Sequence, residues 1–311
     1  MGRKGGLYIC GMYYFLYVII YLLSRLPFRV LYWVSDFFYF LIFYVIGYRK
    51  EVVINNLANA FPNKTVKERR RVMKDFYRNL TDTFVEAIKL LTISEKDLFR
   101  RCSSNLEVIE ELILAGKNIQ LHPGHQFNVE FYNQYYSARL KSIAFAFVYM
   151  PITNESMDKI FYKIRGRFGS VLIAATKFRE EKKKFENRQY SLTLGADQNP
   201  SYIQGAFWMN FFGKPAPFLP GPARSAVKSN TAIVLVEFIK IKRGYYQFKN
   251  TLLTKDPKEE MPEKLTRDYR DFIEQKVYAQ PANYLWTHKR WKHEFKEGYH
   301  NLWTDTANLI H

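Results

Sequence analysis

Two long apolar runs near the N-terminus restrict this chain more than any other feature of its sequence. Residues 7–23 contain no charge and are flanked by Lys4 and Arg25, and a second run, residues 30–48, is interrupted only by Asp36. Charge-free runs rich in Tyr and Phe beside cations are typical of membrane segments. We therefore expect the first run to be a membrane-inserted helix, and the second to lie at the interface or to pack on the remaining chain.

The alternative is a buried helical hairpin in a soluble protein. No small-residue cleavage motif follows the first run, so a removed signal peptide is not expected. Arg25 and Arg29 lie in the connector, which argues against a hairpin with its connector outside, and the basic remainder is expected on the cytoplasmic side. We divide the chain into a membrane anchor and interfacial segment at 1–48 and one domain at 49–311.

The charge balance indicates an anionic partner. The chain has 47 Lys and Arg against 29 Asp and Glu, a net charge of +18, and aromatic residues make up 17%. Nucleic acid, an acidic membrane surface and an acidic protein all suit such a chain. No helix-turn-helix, RNP-type or zinc-finger pattern is present, which disfavours nucleic acid. Cys10 and Cys102 alone provide neither a metal set nor a disulfide framework.

The chain after the apolar runs reads as helical and then alternates between strands and helices. Apolar residues recur at three- and four-residue steps over 72–91, and Thr65 and Glu68 have the spacing of a capping box. Strands are predicted at 118–121, 142–149, 171–174, 191–195, 233–239 and 245–253, and helices at 106–115, 157–168, 177–187, from 221 and at 265–277. This alternation predicts an α/β fold with a mixed, mostly parallel sheet flanked by helices.

The segment LHPGHQFNVE at 121–130 follows a predicted buried strand and precedes an aromatic run. His125 titrates near neutrality and can accept a proton from a hydroxyl group. Glu130 can orient such an imidazole, but five residues on a helix are about 140° apart, so a turn must intervene. Isolated His-x4-Glu pairs more often have a structural role. A catalytic role for His125 and Glu130 therefore depends on further polar groups elsewhere in the chain.

Other polar groups fall at or just after the ends of predicted strands. In α/β sheets ligands bind beyond the carboxyl ends of the strands, and His125, the pair Arg165 and Arg167, and Asp197 fall there. A structural role is the alternative for each: a surface ion pair for Arg167 and a loop cap for Asp197. Their coincidence favours a shared site.

Ordered blocks along the chain resemble the lipid A late acyltransferases, within the larger lysophospholipid acyltransferase superfamily. His125 to Glu130 resembles their HX4D/E motif. Further blocks resemble the family at 48–62, at 149–169 with RGRFG, at 197–223 with DQ, FFG and GPA, and at 281–290 with YLWTHKR. Phe127 and Val129 stand where the family often has Gly and Trp, which bears on the shape of the loop and on acceptor choice.

The resemblance implies a glycerolipid acyltransferase-like fold and an enzyme of the bacterial inner membrane, with residues 49–311 as its acyltransferase domain. It implies acyl transfer from an acyl-carrier-protein thioester to a hydroxyl of a lipid A precursor, without metal or cofactor. His125 would be the base, Glu130 or Asp197 its acidic partner, and Arg165 a donor to the oxyanion or to the phosphopantetheine phosphate. The candidate substrate-binding residues are Asn128, Arg167, Gln198 and Gly221.

Two alternatives stay open. The first is the same chemistry on a different acceptor, such as another membrane glycolipid, an aminolipid or a lysophospholipid. The second is a non-catalytic relative that binds a membrane or an acidic protein. The intact set of His, Glu, Arg and Asp speaks against the second.

Overall fold

A seven-stranded sheet forms the centre of the molecule. The structure, a computed structural model, describes residues 2–305, with side chains from Met12 onward; Cys10 and the start of the first apolar run lie outside the described side chains. The strands in this part of the chain are β1 Cys102–Ser104, β2 Ile119–Pro123, β3 Ala144–Tyr149, β4 Val171–Ala174, β5 Tyr190–Thr193, β6 Phe207–Phe211, β7 Lys214–Phe218, β8 Ala232–Lys242 and β9 Tyr245–Thr254.

The sheet has the order β1-β9-β8-β2-β5-β3-β4 and is mixed but mostly parallel. Only the β8–β9 pair is antiparallel within it, and β6 and β7 form a separate antiparallel hairpin. The helices are α1 Gly2–Arg25, α2 Phe28–Phe40, α3 Lys50–Ala60, α4 Val66–Lys89, α5 Glu95–Arg101, α6 Glu107–Leu114, α7 Val129–Arg139, α8 Glu155–Arg165, α9 Phe178–Glu181, α10 Gly221–Ser229 and α11 Pro262–Ala279. The predicted fold class is confirmed.

Both faces of the sheet are covered by helices, as the near-continuous apolar strands require. Along β8, Val234 and Val236 face a cluster that includes the aromatic side chains of α7. Ile233 and Leu235 face the opposite cluster, to which α11 contributes Tyr269. Successive strand residues point to opposite faces, so β8 is buried on both sides and its neighbour β2 lies in the interior of the sheet.

Most predicted elements are present, with small shifts at their ends. α4 begins with the predicted capping box, in which the Thr65 hydroxyl accepts from the Glu68 backbone N–H and Glu68 accepts from that of Thr65. The helix predicted at 177–187 is wrong, because this segment is broken into α9 and two short 3₁₀ turns. Three consecutive lysines, 182–184, and few apolar residues leave no face that could pack as a longer helix.

The second apolar run supplies a candidate membrane span. Within the described residues, the helix long and apolar enough to cross a membrane is Phe28–Ile46, where α2 continues as a π-helical turn; the described apolar part of α1, Met12–Arg25, is shorter. The inner side of α2 is fastened to α4, since the Ser35 hydroxyl donates to Asp82 at 2.8 Å. Trp33 and Phe37 on its outer side are 64% and 59% exposed.

Candidate active site

His125 is delivered to the edge of the sheet by β2. This strand ends at Pro123, and Asn128 caps the start of α7 by accepting from the Phe131 backbone N–H. His125 therefore lies in a short connection between a buried strand and a buried helix. Its side chain is 36% exposed and borders a cavity of about 250 Å³.

Asp197 is the carboxylate that contacts His125. β5 pairs with β2 in parallel, so residues that follow the two strands meet at the same edge of the sheet. The Asp197 Oδ1 lies 2.6 Å from His125 Nδ1, and its Oδ2 accepts the backbone N–H of His125 at 2.9 Å. The Asp197 side chain is fully buried, so the imidazole is held at two points.

The hydroxyl group of Tyr269, from α11, also lies beside Asp197. Tyr269 lies within hydrogen-bond distance of Asp197 Oδ1, at 3.2 Å, and of the Pro123 carbonyl, at 2.8 Å. The Tyr269 oxygen also accepts the backbone N–H of Ala196 at 3.1 Å. Tyr269 thus links the segment before His125 to the segment before Asp197.

The electrostatic coupling of the pair shifts both pKa values. Burial lowers the pKa of His125, but the charge of Asp197 and its hydrogen bond raise it, and the net pKa lies above the ordinary value of 6.5. Burial raises the pKa of Asp197, but His125 lowers it, and the net pKa is well below the usual range. Both shifts favour the charged forms.

Glu130 does not contact His125 but pairs with Arg165. The guanidinium at the end of α8 donates through Nη2 and Nε to Glu130 in the first turn of α7, at 2.7 and 3.0 Å. Their side chains are only 13% and 6% exposed. Arg165 Nη1 is buried and has no hydrogen-bond partner in the described part of the chain. The two residues of the His-x4-Glu motif therefore belong to different pairs, His125 with Asp197 and Glu130 with Arg165.

The remaining predicted residues have other surroundings. Asn128 is fully buried and donates to Glu86 at 2.7 Å. Arg167 donates to the Leu90 carbonyl and borders an open groove between α1 and α8, which shares no lining residue with the His125 cavity. Gln198 is half-buried beside Asp197, and Gly221 is the exposed first residue of α10.

Gly195 is a site residue that the sequence did not single out. A Cβ added there would lie 2.9 Å from His125 Cε1 and 3.4 Å from Nδ1. Real Cβ atoms essentially never approach another atom so closely, and only glycine leaves this space for the ring. Gly195 lies two residues after the end of β5, but a glycine near a strand end is also common in turns, so sequence alone carried no signal.

The other two nearby histidines are not free to act as bases. His122 is buried beside Gln120, and burial lowers its pKa to about 4. His288 accepts the backbone N–H of Asn199 at 3.1 Å, and burial together with Arg290 lowers its pKa to about 4. Arg290 is buried as well and donates to the Asn199 side chain at 3.0 Å. The closing block thus fastens the loop that carries Asp197.

The cavity beside His125 is mostly apolar. Its walls come from α4, the loop after β2, the end of β3 and the chain after α11, and its apolar side chains are Leu80, Phe84, Phe127, Val129, Phe147, Val148 and Leu285. A pocket lined mainly by apolar side chains, with few polar groups beside His125, suits a ligand with an aliphatic chain. Among residues 2–305 no group of three or more His, Cys, Asp or Glu is placed to hold a metal ion.

The site thus combines an imidazole, oriented through Nδ1 by a buried carboxylate, with an apolar cavity. Such an arrangement suits proton abstraction from a hydroxyl group beside an aliphatic chain. The family model of bacterial lipid A biosynthesis acyltransferases matches residues 6–293. A comparison with curated proteins gave no match. The match spans nearly the whole chain and includes every site residue above, so this protein belongs to the bacterial lipid A biosynthesis acyltransferase family.

Proposed function

We propose that this enzyme transfers a fatty acyl chain from an acyl-carrier-protein thioester to a hydroxyl group of a lipid A precursor. The contact of 2.6 Å between His125 Nδ1 and Asp197 is the observation that carries the proposal. It keeps the proton on Nδ1 and leaves Nε2 as the basic nitrogen. Residues 1–48 would hold the enzyme at the inner membrane, and residues 49–311 would carry out the reaction on the cytoplasmic side.

The reaction needs one base, which later acts as an acid. His125 Nε2 takes the proton of the acceptor hydroxyl, and the oxygen attacks the thioester carbonyl carbon. A tetrahedral oxyanion forms and collapses, the carbon–sulfur bond breaks, and the thiolate takes the proton from His125. An ester and a free thiol result. Asp197 stabilises the imidazolium that exists between the two proton transfers.

Arg165 is proposed to stabilise the negative charge that develops on the substrate. Two of its nitrogens are held by Glu130, and Nη1 is the unpartnered donor. A donor kept in place before the reaction stabilises an oxyanion by about 3 kcal/mol in other enzymes. The same nitrogen could instead bind the phosphopantetheine phosphate, and in both cases the role of Glu130 is to orient the guanidinium.

The acyl chain of the donor is proposed to enter the apolar cavity, with the thioester at His125. The first half of α4 presents exposed Arg70 and Arg71, and its second half contributes Leu80 and Phe84 to the cavity wall. An acidic carrier protein on this basic face would direct its prosthetic arm along α4 towards His125. Opposite charges on the two surfaces would mainly accelerate the encounter.

The first experiment tests the reaction and its acceptor in cells. Total lipid is compared by mass spectrometry between a strain lacking the gene and strains with the intact gene, with His125→Ala or with His300→Ala. We expect lipid A to lack one acyl chain in the null and His125→Ala strains only; His300 is an exposed control histidine outside the site. A loss in another lipid class would refute the acceptor, and normal lipids with His125→Ala would refute the base.

The second experiment tests the donor. With Arg70→Glu and Arg71→Glu combined, we expect KM for the acyl-carrier protein to rise while kcat changes little. An acyl thioester that lacks the carrier protein should react as with the unchanged enzyme. Lys258→Glu, an exposed charge reversal in the turn before α11, is the matched control. Equal KM values for all variants would contradict docking on α4.

A further inference from the structure

Glu86 is a buried carboxylate with three hydrogen-bond donors from three different parts of the chain. It lies on α4 and is completely buried. Tyr32 of α2 donates to its Oε1 at 2.8 Å, while Asn128 and Tyr246 of β9 donate to its Oε2 at 2.7 and 2.6 Å. A buried carboxylate is tolerated only when its oxygens are paired, so these contacts hold the three segments at defined positions around Glu86.

One of the three partners belongs to the loop that carries His125. Asn128 lies three residues after His125, and its side chain makes two contacts at once. Its Nδ2 donates to Glu86, and its Oδ1 accepts the backbone N–H of Phe131 at 3.3 Å, which caps α7. Phe127 in the same loop also packs on Phe76 of α4. The loop is therefore attached to α4 by a polar and an aromatic contact.

In the described part of the chain, two hydrogen bonds from α2 to α4 differ in whether the acceptor also contacts this loop. Tyr32 reaches Glu86, whereas Ser35 reaches Asp82, one turn earlier on α4. Asp82 also accepts from Arg243 at 2.6 Å and does not contact Asn128. Tyr32 and Ser35 thus make hydrogen bonds of the same length, 2.8 Å, to neighbouring carboxylates.

We propose that Glu86 is a positioning residue for acyl transfer, which holds the His125 loop through Asn128 and ties its position to the membrane-facing helix α2 through Tyr32. The proposal rests on the proposed function, in which His125 is the base. Glu86 touches no reacting atom; it acts on the geometry of the loop. A displacement of α2 at the membrane would then change the position of the base.

Exchange of the two polar groups tests the contact between Glu86 and Asn128. Asn128→Asp keeps a good N-cap residue but places two carboxyl groups in contact, which repel each other when both are ionised and attract only when they share a proton. Relative to the unchanged enzyme at the same pH, we expect kcat to fall by about 10²-fold at neutral pH, the cost typical of a misplacement near 1 Å, and this ratio to recover as the pH is lowered. The double variant with Glu86→Gln and Asn128→Asp restores a donor facing an acceptor and should recover most of the lost kcat without the pH dependence.

A matched pair of variants on α2 tests the link to the membrane-facing helix. Tyr32→Phe removes the hydrogen bond to Glu86, and Ser35→Ala removes the equivalent bond to Asp82. We expect Tyr32→Phe to lower kcat several-fold with KM nearly unchanged, and Ser35→Ala to leave kcat unchanged. Amide hydrogen exchange of peptides covering 121–132, on the full chain in lipid vesicles, should rise in Tyr32→Phe and in Asn128→Asp only.

The results separate the failure of this proposal from the failure of the proposed function. The unchanged enzyme reports in the same assay whether acyl transfer occurs. Hydrogen exchange reports on the loop whether or not the acceptor is correct. The positioning role is overturned if the double variant is no better than Asn128→Asp, or if Tyr32→Phe and Ser35→Ala give equal exchange at 121–132.

Discussion

Asp197→Asn is the change that should affect acyl transfer most specifically. Asp197 accepts two N–H groups of the same residue, the backbone N–H of His125 at Oδ2 and Nδ1–H at Oδ1. An asparagine has one acceptor oxygen for these two donors. The backbone N–H of His125 is always a donor, so the asparagine oxygen will face it. The amide nitrogen of the asparagine will then face His125 Nδ1. His125 must then carry its proton on Nε2, which is the wrong tautomer for a base.

The size of the effect follows from this loss of the reactive tautomer. The corresponding carboxylate-to-amide change in a serine protease triad lowers kcat about 10⁴-fold with the geometry intact. At about 1.4 kcal/mol for each factor of ten, this corresponds to a loss of about 5.5 kcal/mol of transition-state stabilisation. We expect a comparable loss here, because Asp197 is fully buried and makes the same kind of contact with Nδ1 of the histidine.

The assay is single-turnover acyl transfer by the purified full chain in vesicles, measured across pH. The base acts in its neutral form, so activity should rise with pH and level off above the pKa of His125, which lies above 6.5. In Asp197→Asn the charge that raises this pKa is gone, so the midpoint of the residual activity should move to lower pH. Glu130→Gln tests the other candidate carboxylate: it should lower the rate through Arg165 but leave the midpoint as in the unchanged enzyme. A loss below tenfold in Asp197→Asn, together with a larger loss and a shifted midpoint in Glu130→Gln, would refute the assignment.

Further predictions concern the ring, the ion pair and the membrane face. Gly195→Ala should displace the His125 ring and lower kcat by about 10²-fold while the melting temperature changes little, measured by single-turnover kinetics and thermal unfolding. Arg165→Ala leaves the buried Glu130 unpaired and should lower the free energy of unfolding by about 3–5 kcal/mol, measured by denaturant titration in micelles. Phe37→Asp on the exposed side of α2 should reduce co-sedimentation with anionic vesicles while the melting temperature is retained.

Local sequence signals predicted most of the fold because their physical causes are local. The capping box of Thr65 and Glu68 depends on residues three apart, and the apolar stripe of α4 on spacings of three and four. The strands were predicted from short apolar runs bounded by polar residues. The segment 177–187 was mispredicted because its charge pattern permits a helix but provides no apolar face to stabilise one.

The partner of His125 could not be chosen from sequence, because it depends on which strands are neighbours. Glu130 is near in sequence but begins α7, where it meets Arg165 from α8. Asp197 is 72 residues away and reaches His125 only because β5 lies beside β2. The rule that ligands bind beyond strand ends placed both residues in one region. It contains no information on strand order, and the choice between the carboxylates required the structure.

The position of β2 and β5 in the interior of the sheet has a consequence for how the enzyme responds to heat. Both strands have a neighbour on each side, β8 for β2 and β3 for β5. Such strands separate only when the central structure unfolds as a whole. Activity should therefore be lost in the same thermal transition in which the sheet unfolds. A warmed sample should contain fully active enzyme and inactive unfolded chains, and no molecules of intermediate activity.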